Sequence, residues 1–442
     1  MKQTKIVLLA IFLQSAMPSF VNAQDAGTEW IALNQKAKDL SQAREYSSAI
    51  VVAQKALQVA EQNVGPDHPD VAVSLNSLGV LYGISGDYQK PVALFQRALA
   101  IREKAFGPQH PYVADSLNHL AGIYDTHGDY AKSAPLHKRS LAILEKAFGA
   151  NHPAVAYTLN NLALLYQNLG DYTKAEPLYL RSLDIREKTL GPNHPAVAES
   201  TSYLAMLYAT MGDYVKAESF CKRALAIRER ELGPNHPDVA TSLNNLAELY
   251  DIRGDYTKAE PLYLRALAIR EKVFGPEHPD VAGVLNNLGV LYKIQKNYAK
   301  AEPLYKRALA ISERALGPNH REVAEVLSNL AAIYQLQGDS IKAESLYQRA
   351  LAIMEKSLGP DHPDVAICLN NLAVSYEFSG DYSKSEPLYL RSLAIREKSF
   401  GPDHPDIAQS LENLADLYRT TNRNNEAESL EQRARKIRAI KR

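Results

Sequence analysis

The chain has 442 residues, 46% apolar and 23% charged, and its 50 basic and 50 acidic residues cancel to a formal net charge of +0 at pH 7. That balance excludes a global electrostatic case for nucleic acid or for an anionic membrane surface. The apolar content is ordinary for a folded soluble protein, and the length alone would suggest about three globular domains.

Residues 1–23 differ in character from the rest of the chain. Lys2 and Lys5 precede the apolar run Ile6 to Leu13, and Val21-Asn22-Ala23 offers small residues at a cleavage position. This is the pattern of a secretory signal peptide, with the mature chain expected to begin at Gln24. The apolar run is too short for the roughly 20 residues that span a bilayer, so a retained anchor is the weaker reading. No cysteine follows the cleavage position, which argues against a lipid anchor. The expectation is a bacterial protein exported to the periplasm or secreted, with no membrane insertion.

Residues 24–67 form a degenerate helix pair in which Tyr46 lies 42 residues before Tyr88. Trp30, the only tryptophan, falls in its opening helix and is expected to cover the end of the stack. From residue 68 to 442 the chain is one unit repeated nine times. His-Pro recurs at His68, His110, His152, His194, His236, His278, His362 and His404, always at multiples of 42, and His320-Arg321 fills the vacant slot. A fixed period of this size marks a solenoid, each unit burying its apolar face against its neighbours, and it overrides the globular estimate.

Each unit carries two helical patterns. Val239, Leu243, Leu246 and Tyr250 fall at i, i+4, i+7 and i+11, and Ala259, Leu262, Tyr263, Ala266 and Leu267 make the second stripe. Pro237 suits a first helical position and Asp238 the positive helix end. Gly254 is placed to end the first helix and Asp255 to cap the second. Pro261, with Pro135, Pro177, Pro303 and Pro387, is expected to bend the second helix near its start. The last unit is worn, with Asn422-Arg423-Asn424 in place of Gly-Asp-Tyr and a basic closing helix. It reads as a polar cap more readily than as a nucleic-acid or lipid patch.

The pattern L-x-x-L-[AG]-x-L-Y-x-x-x-G-D-Y-x-K-A, followed by R-A-L, resembles the tetratricopeptide repeat. The 42-residue length and the G-P-x-H-P-x-V-A linker are similar to the version found in kinesin light chains, from about Thr28 onward. The resemblance implies an all-α, right-handed superhelical solenoid of about ten antiparallel helix pairs, whose first helices line a concave groove that holds peptide. The heptad coiled coil by which kinesin light chains join their motor subunit has no counterpart in this sequence.

Chemistry finds little purchase. One histidine per repeat spreads along the stack, whereas zinc needs about four ligands converging on one ion, so no metal and no cofactor is expected. No phosphate-cradling loop, nucleophile elbow or paired catalytic carboxylates stand out, so no catalytic residue is assigned. Cys221 and Cys368 lie four repeats apart, beyond disulfide reach, and read as core fillers. The informative positions are on the first helices. Two columns there are mostly asparagine, including Asn160, Asn161, Asn244, Asn245, Asn286, Asn287, Asn329, Asn370 and Asn371. An amide donates and accepts, so these side chains suit either the backbone of an extended ligand or the bonding of repeat to repeat. Asp115, Asp125, Glu199, Glu248, Asp251, Glu325, Glu377 and Asp416 make the same face acidic, opposed only by Lys293 and Arg419, with Tyr157, Tyr203 and Phe378 as apolar anchors. The reading is an exported, non-catalytic scaffold for a basic or neutral peptide or protein segment. The alternative is a structural subunit of an envelope complex, packing by convex face and edges. The sequence leaves the oligomeric state open.

Overall fold

The computed structural model describes residues 26–440, so the expected signal peptide lies outside the described residues. Within them there are twenty α-helices and no strand. The degenerate pair is α1 (Thr28–Gln42) and α2 (Tyr46–Val64). Each later odd-numbered helix starts just after the recurring histidine: α3 Pro69–Ile84, α5 Pro111–Thr126, α7 Pro153–Asn168, α9 Pro195–Thr210 and α11 Pro237–Ile252. The series continues with α13 Pro279–Ile294, α15 Arg321–Leu336, α17 Pro363–Phe378 and α19 Pro405–Thr420. The even-numbered partners are α4 Gln89–Phe106, α6 Tyr130–Phe148, α8 Tyr172–Leu190, α10 Tyr214–Leu232 and α12 Tyr256–Phe274. They close with α14 Tyr298–Leu316, α16 Ser340–Leu358, α18 Tyr382–Phe400 and α20 Asn424–Ala439.

The histidine column is helix-start architecture. In all nine repeats the imidazole Nδ1 accepts the backbone N–H two residues on, at 3.0–3.3 Å. Where the preceding helix ends in phenylalanine the ring stacks on the imidazole, as Phe106 does on His110 and Phe400 on His404 at centroid distances of 4.7 and 4.4 Å. One such acceptor removes an orphan N–H from each first helix. Gly254 takes φ +79 just past α11, the left-handed turn that ends a helix. Asp129, Asp171, Asp213, Asp339 and Asp381 cap the second helices through their side chains. Asp255, the residue named for that task, makes no capping bond; its carboxylate lies near Arg253 and Lys258 instead. The second helices run unbroken through Pro135, Pro177, Pro261, Pro303 and Pro387.

The chain divides into two compact units, residues 1–165 and 166–442, with the division inside α7. In each the core sits between a helix pair and the next first helix. Val239, Ala240 and Leu243 of α11 pack with Ala266 and Ile269 of α12 and Val284 of α13. Trp30 is not a cover over the end but a core member, buried among Ala56, Ala60, Val71 and Leu75, its indole N–H donating to Ser74 Oγ at 2.7 Å. First helices of adjacent repeats touch directly (α3 with α5 in the first unit, α9 through α17 in series in the second), without comparable contact between second helices. The first helices therefore lie on the inside of the bend in each unit.

Cys221 and Cys368 are buried free thiols. Burial, with Glu248 and Glu218 adding to it, pushes the Cys221 thiol up to about 12, and burial does the same for Cys368, to about 12. Neither forms an appreciable thiolate at neutral pH. Ellman's reagent should therefore leave both untouched in the native protein and label both in denaturant; prompt native labelling would place a thiol at the surface.

One contact in the second unit departs from nearest-neighbour packing. His404 Nε2 lies 3.1 Å from the backbone oxygen of Asn168, 236 positions away in sequence. A Cβ on Gly170 would meet Pro405 Cδ at 3.0 Å, so the turn between α7 and α8 rests on the turn between α18 and α19.

Candidate inner-face binding site

The two asparagine columns sit side by side on the inner face, and in the second unit they bond to one another across repeats. Asn287 Nδ2 donates to Asn244 Oδ1 at 3.0 Å, Asn329 Nδ2 to Asn286 Oδ1 at 2.9 Å, and Asn413 Nδ2 to Asn370 Oδ1 at 2.8 Å. Each bond joins the first column of one repeat to the second column of the next. Asn244, Asn286, Asn287, Asn329 and Asn370 are thus engaged in tying repeat to repeat, as buried or half-buried amides must be if they are not to cost stability.

The series breaks at two places. Where the first column holds serine, the hydroxyl turns back to its own helix: Ser202 Oγ donates to Ala198 O at 2.8 Å and Ser328 Oγ to Ala324 O at 2.9 Å. The amides of the following repeats, Asn245 in α11 and Asn371 in α17, then have no side-chain hydrogen bond among the described residues, and both are half-buried. In the first unit Asn118 gives its amide to Thr158 Oγ1 at 2.9 Å and faces His137 Nδ1 at 3.3 Å, and Asn161 is left in the same condition. Asn160 is buried in that unit.

The acidic character of this face is smaller than its residues imply. Arg102, buried at the end of α4, places Nη1 2.6 Å from Asp115 Oδ2 and 2.9 Å from both Tyr112 O and Ser116 Oγ. Arg186 repeats the arrangement in the second unit, 2.7 Å from Glu199 Oε2, 2.8 Å from Ala196 O and 3.0 Å from Ser200 Oγ. Asp125 is held by His137 at 2.8 Å, Glu377 accepts from Tyr389 at 2.9 Å, and Arg321 lies 3.7 Å from Glu325. The second-helix cations are therefore not all elsewhere: Arg102 and Arg186 each reach from a second helix to pair with one inner-face carboxylate. Its signal was the recurrence of an arginine thirteen positions before a groove carboxylate, as with Arg186 and Glu199.

Glu248 and Asp251 lie three and six residues after Asn245 in α11. Lys293 of the next repeat donates to Asn329 Oδ1 at 3.3 Å, and burial draws its ammonium down to about 8 against the pull of Asp251. Tyr203 is 2% exposed and stacked on Tyr179 at 5.5 Å, so it is a core residue and no surface anchor. Tyr157 is half-buried. Sequence reasoning named only Phe378 of a row of four exposed apolar residues closing successive first helices: Ile252, Ile294, Leu336 and Phe378. Among the described residues no three histidine, cysteine or acidic side chains converge as a metal site would require, and no helix is long and apolar enough to cross a membrane.

The model of the tetratricopeptide repeat matches the chain in nine overlapping stretches, from residues 29–90 through 370–439. The chain belongs to the tetratricopeptide repeat family. Solved structures similar to this tetratricopeptide repeat protein include BtubC (BKLC) from P. vanneervenii, at 30% identity over 53% of this chain and 92% of that one, TM-score 0.41. A putative kinesin light chain of Podosopora anserina with nearly identical TPR-like repeats shares 27% identity over 46% of this chain and 97% of its own, TM-score 0.39. A Rap protein complexed with competence and sporulation factor is similar in fold, at 16% identity over 84% of this chain and 98% of its own, TM-score 0.56. No curated protein matches the chain.

His110 also gives the tetratricopeptide array a pH dependence. An Nδ1 that accepts an N–H must be unprotonated, and burial, with Arg102 adding to it, lowers His110 below its usual 6.5. Burial lowers His119 and His127 as well. The unfolded chain then binds protons first, so this stability is present above about 6.5 and is lost as pH falls through the lower folded values. Melting temperature should fall between pH 7.5 and 5.0; a flat profile would contradict the assignment.

Proposed function

We propose that the protein is an exported, non-catalytic scaffold that holds an extended peptide or protein segment along the inner face of its first helices. The observation that supports this most is the pair of unpartnered amides, Asn245 and Asn371, on the same face as the inter-repeat bonds. An amide that neither helix nor neighbour satisfies is suited to pair with a ligand's backbone, which carries one donor and one acceptor per residue. Two such amides three repeats apart hold a segment without reading its sequence. The preference for a basic or neutral segment over an acidic one is modest, about 0.2–1 kcal/mol per exposed pair, because Asp115, Asp125, Glu199, Glu325 and Glu377 of this face already have partners. It should fade with salt as screening shortens to roughly 8 Å at 0.15 M.

An array of immobilised unstructured peptides, probed with native protein and with an Asn245→Ala, Asn371→Ala variant, tests the reading. The variant should lose most of the signal while its helical content stays native; unchanged signal would remove the groove from consideration. Export is checked separately by N-terminal sequencing of the protein recovered outside the cytoplasm, which should start at Gln24. A start at Met1 in the soluble cell fraction would overturn that part.

A further inference from the structure

The second unit returns on itself. Asn168 is the last residue of α7, and its oxygen is one of the carbonyls that a helix end leaves without an internal partner. His404 immediately precedes α19. Its Nδ1 accepts the Asp406 N–H, so the proton of the neutral ring sits on Nε2 and is donated to Asn168 O at 3.1 Å. The turn after α7 is also fitted to its neighbour. A Cβ on Gly170 would meet Pro405 Cδ at 3.0 Å and His404 Cδ2 at 3.3 Å, whereas nothing lies within 4 Å at Gly212, Gly254, Gly338 and Gly380, the corresponding glycines of other repeats. Leu169 and Thr173 on one side and Phe400, Asp403 and Ile440 on the other line a cavity of about 400 Å³ between the two turns.

Repeats that bend in one sense and meet after 236 positions have completed a turn. The contact joins the closing end of one first helix to the opening end of another, so the coil is wound as a screw, the rim of one turn resting on the opposite rim of the next. First helices line the inside of that turn. Asn245 and Asn371, three repeats apart, are separated by about half of the 236 positions that complete it, and so stand on opposing walls. We infer that the second unit encloses its partner: the segment it holds passes through a closed turn, enters lengthwise by a free chain end, and is barred from the side while the contact between Asn168 and His404 is made. The inference rests on the proposed peptide-holding role and adds the kind of partner that fits, an unfolded tail and not a linker between two folded domains. A tail has the free end that such entry needs, whereas a segment tethered on both sides must wait for the turns to part.

The test uses the full chain and the strongest unstructured peptide of the array in three labelled forms: both ends free, a small folded domain fused to one end, and that domain fused to both. In stopped-flow anisotropy the first two should associate at similar rates and the third at least about tenfold more slowly. Thr173→Cys with Asp403→Cys, both exposed and lining one cavity, is then bridged by a short bis-maleimide, while Cys221 and Cys368 are buried and stay unlabelled. The bridged protein, with a native circular dichroism spectrum, should bind the one-domain form as before and the two-domain form not at all. Gly170→Ala, which weakens the contact, should speed entry of the two-domain form by about tenfold. Failure of the two cysteines to bridge, equal rates for the three forms, or entry of the two-domain form into the bridged protein would each overturn the inference and leave the holding role standing. If no form binds, the holding role falls and the inference falls with it.

Discussion

Arg186→Ala should destabilise the second unit by about 3–5 kcal/mol, the cost of leaving a partner charge uncompensated in a partly buried site. The guanidinium holds Glu199 together with a backbone oxygen and a serine hydroxyl of the next repeat, so its removal strips three contacts at once. A double replacement, Arg186→Met with Glu199→Gln, should recover a large part of the loss, because no buried charge is then left alone. Denaturant titration followed by circular dichroism measures both. A loss below about 1 kcal/mol in the single variant would mean that the pair is solvated and behaves as a surface ion pair.

Leu246→Ala should cost on the order of 2–5 kcal/mol, the range for truncating a buried leucine. Leu246 is almost fully buried in α11. Because contacts run between neighbouring repeats, hydrogen exchange should rise chiefly in the helices around α11 and fall off with distance. The contact of His404 with Asn168 is the exception to that rule in the second unit: it links two turns nearly six repeats apart in sequence. Weakening it, as by Gly170→Ala at φ +71, should raise exchange at the two turns together. Uniform loss of protection after Leu246→Ala would contradict nearest-neighbour stability.

Most of the fold was legible in the sequence because the repeat states it nine times. The His-Pro anchor, the glycine turn and the two apolar stripes each have a local physical cause, and all of them recur at the same spacing. Trp30 shows where local reasoning stops: its place in a degenerate pair suggested an outer cover, yet Ser74 in the following repeat gives its N–H a partner inside the core. The candidate site was half legible. The asparagine columns were visible, but which amide is satisfied depends on the residue 43 positions earlier. A serine there can bond its own helix, as Ser202 and Ser328 do, whereas an asparagine reaches across. The acidic face was overread for a similar reason. A carboxylate count on the first helices omits arginines such as Arg102 and Arg186, which enter from the second helix of the preceding repeat.

Completing the broken series tests the central claim most directly. Ser202→Asn with Ser328→Asn supplies an acceptor to Asn245 and to Asn371, extending the bonds already made at Asn287, Asn329 and Asn413. The double variant should melt no lower than native protein and should retain little of the peptide-array signal, because the two amides are then engaged by their neighbours. A variant that completes the series and still gives the native array signal would show that Asn245 and Asn371 do not hold the ligand.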